Sequence, residues 1–233
     1  MEIKAVRQER LYIKVAEQLS GHIDNGDIAI GDRLPSERDL AERFGVSRPT
    51  IREAMIALEL AGRVEIRSGS GVYVLDTKAD RLTELPDDAP GPLELLEARY
   101  YFESDAAALA AERASEKDIK SIQKALQAMQ AENRQYELHE EADEQFHLLI
   151  AKASGNSAIH SAVSRLWDQR RTSTMSVFFH EKLRKQGIKP VIHDHKAILE
   201  GIRNQDADAA RSAMRTHLQR VIDVIVNEDD AAA

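Results

Sequence analysis

The sequence predicts a mainly α-helical protein in which an N-terminal winged helix-turn-helix is followed by an all-α antiparallel helical bundle. Apolar residues recur at helical spacing through most of the 233 residues, and only one short stretch alternates as a strand does. The counts of 11 glycines and 6 prolines are low for an all-β chain. The absence of cysteine excludes disulfides, thiolate zinc sites and cysteine nucleophiles.

The first three predicted helices form a helix-turn-helix. Apolar residues at four-residue steps predict a first helix over residues 9–25. Ser36 is the expected N-cap of a short second helix, and Ser47 is that of a third helix, which ends at Gly62. Only the tight turn at residues 44–46 separates the second helix from the third, which is typical of a helix-turn-helix.

A β-hairpin is predicted directly after the third helix. Apolar and polar residues alternate over residues 64–75 around a glycine-rich turn at 68–71. A hairpin in this place is the wing of a winged helix, and it can reach the groove beside the recognition helix. Because residues 76–92 are polar and contain three prolines, they predict a linker between a winged-helix domain (1–75) and a helical domain (93–233).

Six helical segments are predicted in the second domain, and they indicate an all-α bundle. Glycine, proline or asparagine marks the breaks between several of them. The segments cover residues 93–113, 116–134, 138–154, 156–184, 191–204 and 206–227.

The distribution of charge and apolar residues bears on partners and location. The net charge is -8, but residues 1–75 are nearly balanced, with 11 Lys and Arg against 12 Asp and Glu. The overall acidity therefore does not exclude nucleic-acid binding by the first domain. No apolar run reaches the roughly 18 residues of a membrane span, and the N-terminus lacks a signal-peptide pattern. We expect a cytoplasmic protein without a membrane partner.

The basic residues of the helix-turn-helix indicate DNA as a partner. All seven basic residues between positions 33 and 67 are arginines, whose guanidinium groups suit phosphate and guanine edges. Ser47, Arg48, Thr50 and Arg52 lie in the first turns of the third helix, the part of a recognition helix that meets base edges. For any one arginine, the alternative is a solvent-exposed face balanced by neighbouring carboxylates.

Four polar residues of the second domain share a spacing that indicates a metal site. Asp143 and His147 are four residues apart on one helix face. His195 and His217 lie on the apolar stripes of two later helices, whereas His193 lies about 200° from His195 and should face outward. Neutral imidazoles with a carboxylate suit zinc, nickel, manganese or iron. Buried histidines satisfied by neighbouring carboxylates and carbonyls are the alternative.

The run LPSERDLAERFGVSRPTIREAMIALELAGRVEIRSGSGVYV, residues 34–74, resembles the winged-helix domain of the GntR family of bacterial transcription regulators nearly end to end. The resemblance implies DNA contacts by the arginines, phosphate contacts by the hydroxyls and entry of the wing glycine into the minor groove. The residues that match these roles are Arg38, Ser47, Arg48, Thr50, Arg52 and Gly69.

The segments DEQFHLLIAKASGN, DHKAILEGI and ADAARSAMRTHL resemble the all-helical effector domain of the FadR-like branch of that family, the FCD type. In metal-containing members the ligands match Asp143, His147, His195 and His217. The resemblance implies a divalent metal ion, zinc first, that holds a small carboxylate effector.

Two arginines extend the predicted site. By resemblance Arg99 helps to form the effector pocket, and an intrahelical pair with Glu103 is the alternative. A bound metal with Arg99 and Arg170 gives a cationic cavity that suits a carboxylate with neighbouring hydroxyls. Trp167 is a candidate face for a sugar ring, although core packing is the commoner role. Because GPLELLEARYYFES and RLWDQRR are similar to stretches in regulators of hexuronate utilisation, a sugar acid such as a hexuronate is the first hypothesis for the effector.

These features favour a ligand-responsive repressor that binds a palindromic double-stranded operator as a homodimer. Effector binding at the metal site is expected to lower operator affinity. One alternative is the same regulator with a purely structural metal and a different effector, such as an acyl ligand. The other is a metal-dependent hydrolase or lyase, which is disfavoured because no independent general base is evident beside the site.

Overall fold

The computed structural model describes residues 10–67, 69–76, 90–135 and 141–230. Within them the chain forms ten helices and one antiparallel pair of strands. The first elements are α1 (Leu11–Asp24), α2 (Glu37–Phe44), α3 (Arg48–Leu60), β1 (Val64–Arg67) and β2 (Gly71–Val74). Seven helices follow: α4 (Pro92–Arg113), α5 (Glu116–Gln135), α6 (Glu141–Ala153), α7 (Ser157–Thr172), α8 (Thr174–Lys185), α9 (Ile192–Arg203) and α10 (Ala207–Asp230). The predicted fold class is confirmed.

The chain divides into two compact units. The first contains the described residues up to Glu94, together with Ser173–Phe179 and the described residues from Val226 onward. The second contains Leu95–Thr172 and His180–Ile225. Most of the predicted linker, residues 77–89, lies outside the described residues.

Hydroxyl caps and one left-handed glycine define the helix-turn-helix in the first unit. Ser36 Oγ accepts a hydrogen bond from the backbone N–H of Asp39 at 3.2 Å, and α2 ends at Gly45, whose φ is 66°. Ser47 Oγ accepts one from the backbone N–H of Thr50 at 3.3 Å, so α3 begins where the sequence predicts. The left-handed conformation at position 45 strongly favours glycine, which turns the chain sharply between the two helices.

The hairpin has the predicted alternation. Val64 pairs with Val74 and Ile66 with Val72, and the three valines are buried. The backbone N–H of Leu34 also donates to the oxygen of Val72 at 2.8 Å, so the segment before α2 lies along the free edge of β2. Ser68 of the predicted turn lies outside the described residues.

One predicted helix is wrong. The sequence predicts a single helix over residues 156–184, but α7 ends at Thr172 and α8 begins at Thr174. Ser173 Oγ accepts a hydrogen bond from the backbone N–H of Ser176 at 3.5 Å, as an N-cap does. Three consecutive hydroxyl residues favour such a break because their side chains compete for the backbone groups of a helix.

The second unit packs most of its helices around one apolar core. α5 packs against α6 and α9, and α6 packs against α7. Side chains of α4, α5, α6, α9 and α10 share this core, whose largest fully buried members are Phe146, Ile122, Met129, Ile150, Ile198, Ile202 and Met214. α6, α9 and α10 therefore each present one face to the same interior, and the polar residues on those faces are buried with it.

A buried carboxylate on α3 caps α4 within the first unit. Glu53 is 6% exposed, and its Oε1 accepts hydrogen bonds from the backbone N–H groups of Leu93 at 3.1 Å and Glu94 at 3.0 Å. A Cβ at Gly91 would lie 2.1 Å from this oxygen, so any other residue there would displace the Glu53 carboxylate. Burial raises the pKa of Glu53 to about 7, although the two backbone hydrogen bonds act in the opposite direction.

Glu53→Gln should remove a pH dependence from folding stability. The carboxyl titrates near 4.5 in the unfolded chain and near 7 in the folded protein, so the stability contribution of the protonated form is complete below pH 4.5 and lost as the pH rises through 7. The free energy of unfolding of wild type should therefore fall by about 3 kcal/mol relative to that of the variant between pH 4.5 and pH 7, at ~1.4 kcal/mol per pKa unit. Urea denaturation at pH 4.5, 6 and 8 measures this loss.

The control for this experiment is Glu42→Gln, which changes an exposed carboxyl on α2. Its free energy of unfolding should follow wild type at every pH. Parallel curves for wild type and Glu53→Gln would contradict the prediction.

Candidate metal centre and DNA-binding surface

Four buried side chains of the second unit converge on one point. Asp143 and His147 project from α6, His195 from α9 and His217 from α10. Each offers one ligand atom, and these atoms all lie within 4.8 Å of one another. These are the four residues that the sequence singles out, and His193 is exposed as expected. The group has the composition and spacing to hold a metal ion.

The outward-facing nitrogen of each histidine lies near an oxygen atom that does not belong to the group of four. Only the contact of His195 is a hydrogen bond, whereas Nδ1 of His147 and Nδ1 of His217 lack hydrogen-bond geometry toward their neighbouring oxygens. A hydrogen bond to the outward nitrogen orients a metal-binding histidine. The Nδ1 contacts are those of His147 with Oε2 of Glu103 at 2.5 Å, His195 with the backbone oxygen of Val191 at 2.9 Å, and His217 with Oδ2 of Asp194 at 3.9 Å.

The inward-facing atoms fit a divalent cation. Nε2 of His147 is buried and has no hydrogen-bond partner among the described residues, which is costly unless another ligand satisfies it. Oδ1 of Asp143 lies 3.7 Å from this atom and accepts a hydrogen bond from Nε2 of His195 at 2.9 Å. A cation among these atoms would satisfy both nitrogens and the carboxylate at once.

The protonation states of Asp143 and His217 suit a metal. For His195, burial lowers the pKa, but the hydrogen bond to Asp143 and the surrounding negative charge raise it overall. Burial alone would raise the pKa of Asp143, but the hydrogen bond from His195 and the charge of His147 hold it far below the ordinary range. Burial lowers the pKa of His217 to about 4. At neutral pH the centre therefore contains an ionised carboxylate and a neutral His217 imidazole, which are the forms that bind metals.

Glu103 of α4 is a buried neighbour of the four residues that was not expected from the sequence. The sequence indicates only its pair with Arg99, as the alternative role of that arginine, and Oε1 does accept a hydrogen bond from Nε of Arg99 at 2.7 Å. The contact with His147 depends on the packing of α4 against α6, for which the sequence carries no local signal. Although burial opposes ionisation, the charges of Arg99 and His147 lower the pKa of Glu103 to about 2.

A cavity adjoins the four residues, because Asp143 and His217 line it. The cavity has an interior volume of about 80 Å³, below the ~300–1,000 Å³ typical of small-molecule sites, and is partly open to solvent. Both arginines predicted for the effector site are in its wall. Its cationic lining residues are Arg99, Arg170, Lys189 and Arg220, Asp194 and His180 add a carboxylate and an imidazole, and its apolar ones are Leu183, Ile188, Pro190, Val191 and Val221.

Trp167 supports two of these arginines from within the core. The indole is fully buried, and the guanidinium carbons of Arg99 and Arg170 lie 3.9 and 4.9 Å from its centre. Arg170 also donates to Nδ1 of His180 at 3.4 Å. Burial and the charges of Arg170 and Arg99 hold the pKa of His180 well below its ordinary value, so this imidazole is neutral. Trp167 does not line the cavity and is no face for a ligand.

The predicted DNA-contacting residues have different environments in the first unit. Ser47, Arg38, Arg48 and Gly69 are exposed, and Thr50 is half-buried. Gly69 has a φ of +67°, a conformation that favours glycine at the tip of the wing.

Arg52 is the exception among these residues. Its guanidinium is buried and donates to both carboxylate oxygens of Glu37, each at 2.7 Å. This pair joins α2 to α3.

Two family models match the chain. One, described as bacterial regulatory proteins of the gntR family, covers residues 11–74, and the FCD domain covers residues 94–220. The chain belongs to the GntR family. It is a transcription regulator of the GntR type with an FCD domain, and its family and relatives are regulators rather than enzymes.

Named relatives match over most of their length. The Uxu operon regulator of Haemophilus influenzae is 38% identical over 91% of this chain and 80% of its own. The Exu regulon transcriptional regulator of Escherichia coli K12 is 37% identical over 98% of this chain and 88% of its own. A solved structure, Streptococcus agalactiae GntR, is 26% identical with a TM-score of 0.46, covering 90% and 98% of the two chains. None of the described helices has the length and hydrophobicity needed to cross a membrane.

His195→Ala should reduce the affinity for zinc by ~100-fold or more, because even residues that only orient metal ligands are worth 10–100-fold. His193→Ala is the matched control, since that histidine is exposed on the same helix. Zinc dissociation constants measured by competition with chelators of graded strength would test the prediction. Equal affinities for the two variants would exclude His195 as a ligand.

Proposed function

We propose that this protein is an effector-responsive repressor that binds a palindromic operator as a homodimer. Its operator affinity is lowered by a small carboxylate held at the metal centre of Asp143, His147, His195 and His217. The observation that carries this proposal is the position of the centre, whose residues Asp143 and His217 line a cavity with a basic wall.

Zinc is the metal that the proposal places first. Three imidazoles and one carboxylate suit it, and a four-ligand set leaves room for an added ligand when the ion expands its coordination. Nickel, manganese and iron accept similar ligands. When bound, the ion would supply a positive charge that attracts a carboxylate, and the protein's own residues would orient the remainder of the molecule.

The lining of the cavity supports a sugar acid as effector. Arg99 and Arg170 offer guanidinium groups to a carboxylate or to hydroxyls, and neutral His180 adds an imidazole beside them. A hexuronate has one carboxylate and several hydroxyls, which match this mixture. The relatives named for the Uxu operon and the Exu regulon favour the same class.

DNA recognition is assigned to α2, α3 and the wing. Arg38 and Arg48 are exposed and provide the main base or backbone contacts, Ser47 and Thr50 contact phosphate at the N-terminus of α3, and Gly69 enters the minor groove. Arg52 either contacts DNA after releasing Glu37 or holds α3 in place for the others.

The effector should lower operator affinity through linkage. If a ligand prefers the conformation that binds DNA poorly, DNA must reduce the affinity for the ligand by the same factor. A cytoplasmic location follows from this function, because operator and metabolite are both found there.

One sugar acid should raise the midpoint of thermal unfolding of the zinc-loaded protein. A ligand present at 100 times its dissociation constant contributes ~2.7 kcal/mol, which is several degrees for a domain of this size. The panel contains uronic, aldonic, dicarboxylic and fatty acids, and Asp143→Ala is the variant expected to lose the response. A shift by fatty acids alone would favour the acyl-ligand alternative, and no shift by any acid would exclude an acid effector of these classes.

Arg48→Ala should weaken binding to an operator selected from random duplex DNA by ~10-fold to 100-fold, because a base-contacting arginine contributes ~1–3 kcal/mol. Arg134→Ala, in an exposed position on α5, should bind as wild type does. Fluorescence anisotropy at two salt concentrations would measure the change and its salt dependence. Identical affinities for the two variants would remove Arg48 from the DNA-binding surface.

A further inference from the structure

We propose that Glu103 is a positioning residue that couples the metal centre to the effector arginine Arg99. Its carboxylate contacts both groups, so the same side chain sets the tautomer of His147 and the placement of the guanidinium. The part that concerns Arg99 rests on the proposed function, whereas the part that concerns His147 depends only on metal binding.

The carboxylate of Glu103 is buried among hydrogen-bond donors. The residue is 1% exposed. Its Oε1 accepts hydrogen bonds from Nε of Arg99 at 2.7 Å and from Nε1 of Trp167 at 3.0 Å. Its Oε2 lies 2.5 Å from Nδ1 of His147 and accepts a longer bond from Nη2 of Arg99 at 3.4 Å. A buried carboxylate with so many donors is held in one orientation.

The contact with Glu103 bears on the tautomer of His147. Nδ1 of His147 lies 2.5 Å from Oε2 of Glu103 without hydrogen-bond geometry, a separation too short for two facing lone pairs, so we infer that Nδ1 carries the proton. In the neutral ring the lone pair is then on Nε2, the atom that faces Asp143 at 3.7 Å and has no hydrogen-bond partner in the described structure. Glu103 therefore presents the imidazole in the form that a metal ion needs.

Arg99 is restrained by Glu103 and Trp167. Its guanidinium is 3.9 Å from the centre of the Trp167 ring and lines the cavity together with Asp143. The hydrogen bonds with Glu103 fix one edge of the planar group, and Trp167 restricts its face. Because Arg99 is already fixed, it loses little side-chain entropy when an anion binds, and the affinity for the anion is higher. Release of Arg99 from Glu103 should weaken binding of the anionic effector and leave the residues that hold the metal unchanged.

Glu103→Gln tests both parts, since an amide keeps the volume but loses the charge and offers one acceptor oxygen instead of two. Zinc affinity should fall 10–100-fold, in the range of other residues that orient metal ligands. At saturating zinc, Glu103→Gln should also bind more weakly than wild type to the acid that stabilises wild type in the thermal-unfolding panel. Glu97→Gln, an exposed glutamate on the same helix, should match wild type in both measurements.

Arg99→Gln separates the two contacts. It should reduce affinity for the acid but leave zinc affinity within about twofold of wild type, because Glu103 still faces His147. If no acid binds wild type, the proposed effector function fails, and the zinc measurements alone decide the role of Glu103. Wild-type zinc affinity in Glu103→Gln would overturn the proposal.

A measurement on the unaltered protein covers the case in which Glu103→Gln does not fold. Long-range proton–nitrogen NMR spectra of the zinc-free wild type distinguish the two neutral tautomers of each histidine. His147 should show the proton on Nδ1. A proton on Nε2 with an unprotonated Nδ1 would overturn the proposal, because Glu103 would then not set the tautomer.

Discussion

The buried negative charge of Asp143 is the constraint on which the second unit depends. A carboxylate in an apolar core is tolerated only when opposite charge and hydrogen-bond donors surround it, and removal of one partner from such a group typically costs 3–5 kcal/mol. Here Nε2 of His195 on α9 donates to Oδ1 of Asp143 at 2.9 Å, and Nε2 of His147 lies 3.7 Å from the same oxygen, so the packing of α9 against α6 brings the donor to the charge. The apolar core determines that the helices associate, and the polar group determines their register.

The need of buried polar groups for partners explains why much of the site could be predicted from sequence. Asp143 and His147 have the four-residue spacing of one helix face, and His195 and His217 interrupt apolar stripes that otherwise contain only hydrophobic residues. A polar residue on such a stripe must be buried with a partner, and the family resemblance supplied which partner. The contacts of Glu103, Val191 and Asp194 depend on how the helices pack in three dimensions, which local patterns do not specify.

The arginines of the first unit show where prediction from pattern reaches its limit. Arg48 and Arg52 are four residues apart on α3 and share the first turns of a recognition helix, yet one is exposed and the other is buried against Glu37. Arg63 is likewise buried, where it forms an ion pair with Asp24. Their sequence neighbourhoods look equally basic. Arg52 and Arg63 are buried against carboxylates of other helices, Glu37 and Asp24, and local sequence does not specify such pairs. The break at Ser173 was missed because a capping side chain competes with the helical periodicity of the apolar residues.

The contact between Glu53 and Gly91 has a consequence for how this sequence can diverge. Any side chain at position 91 would occupy the space of the Glu53 carboxylate, and a shorter residue at position 53 would leave the first turn of α4 without its acceptor. Neither position can change alone at low cost. Drift at these two sites must therefore be concerted, with a new capping residue gained before or together with the loss of the glycine.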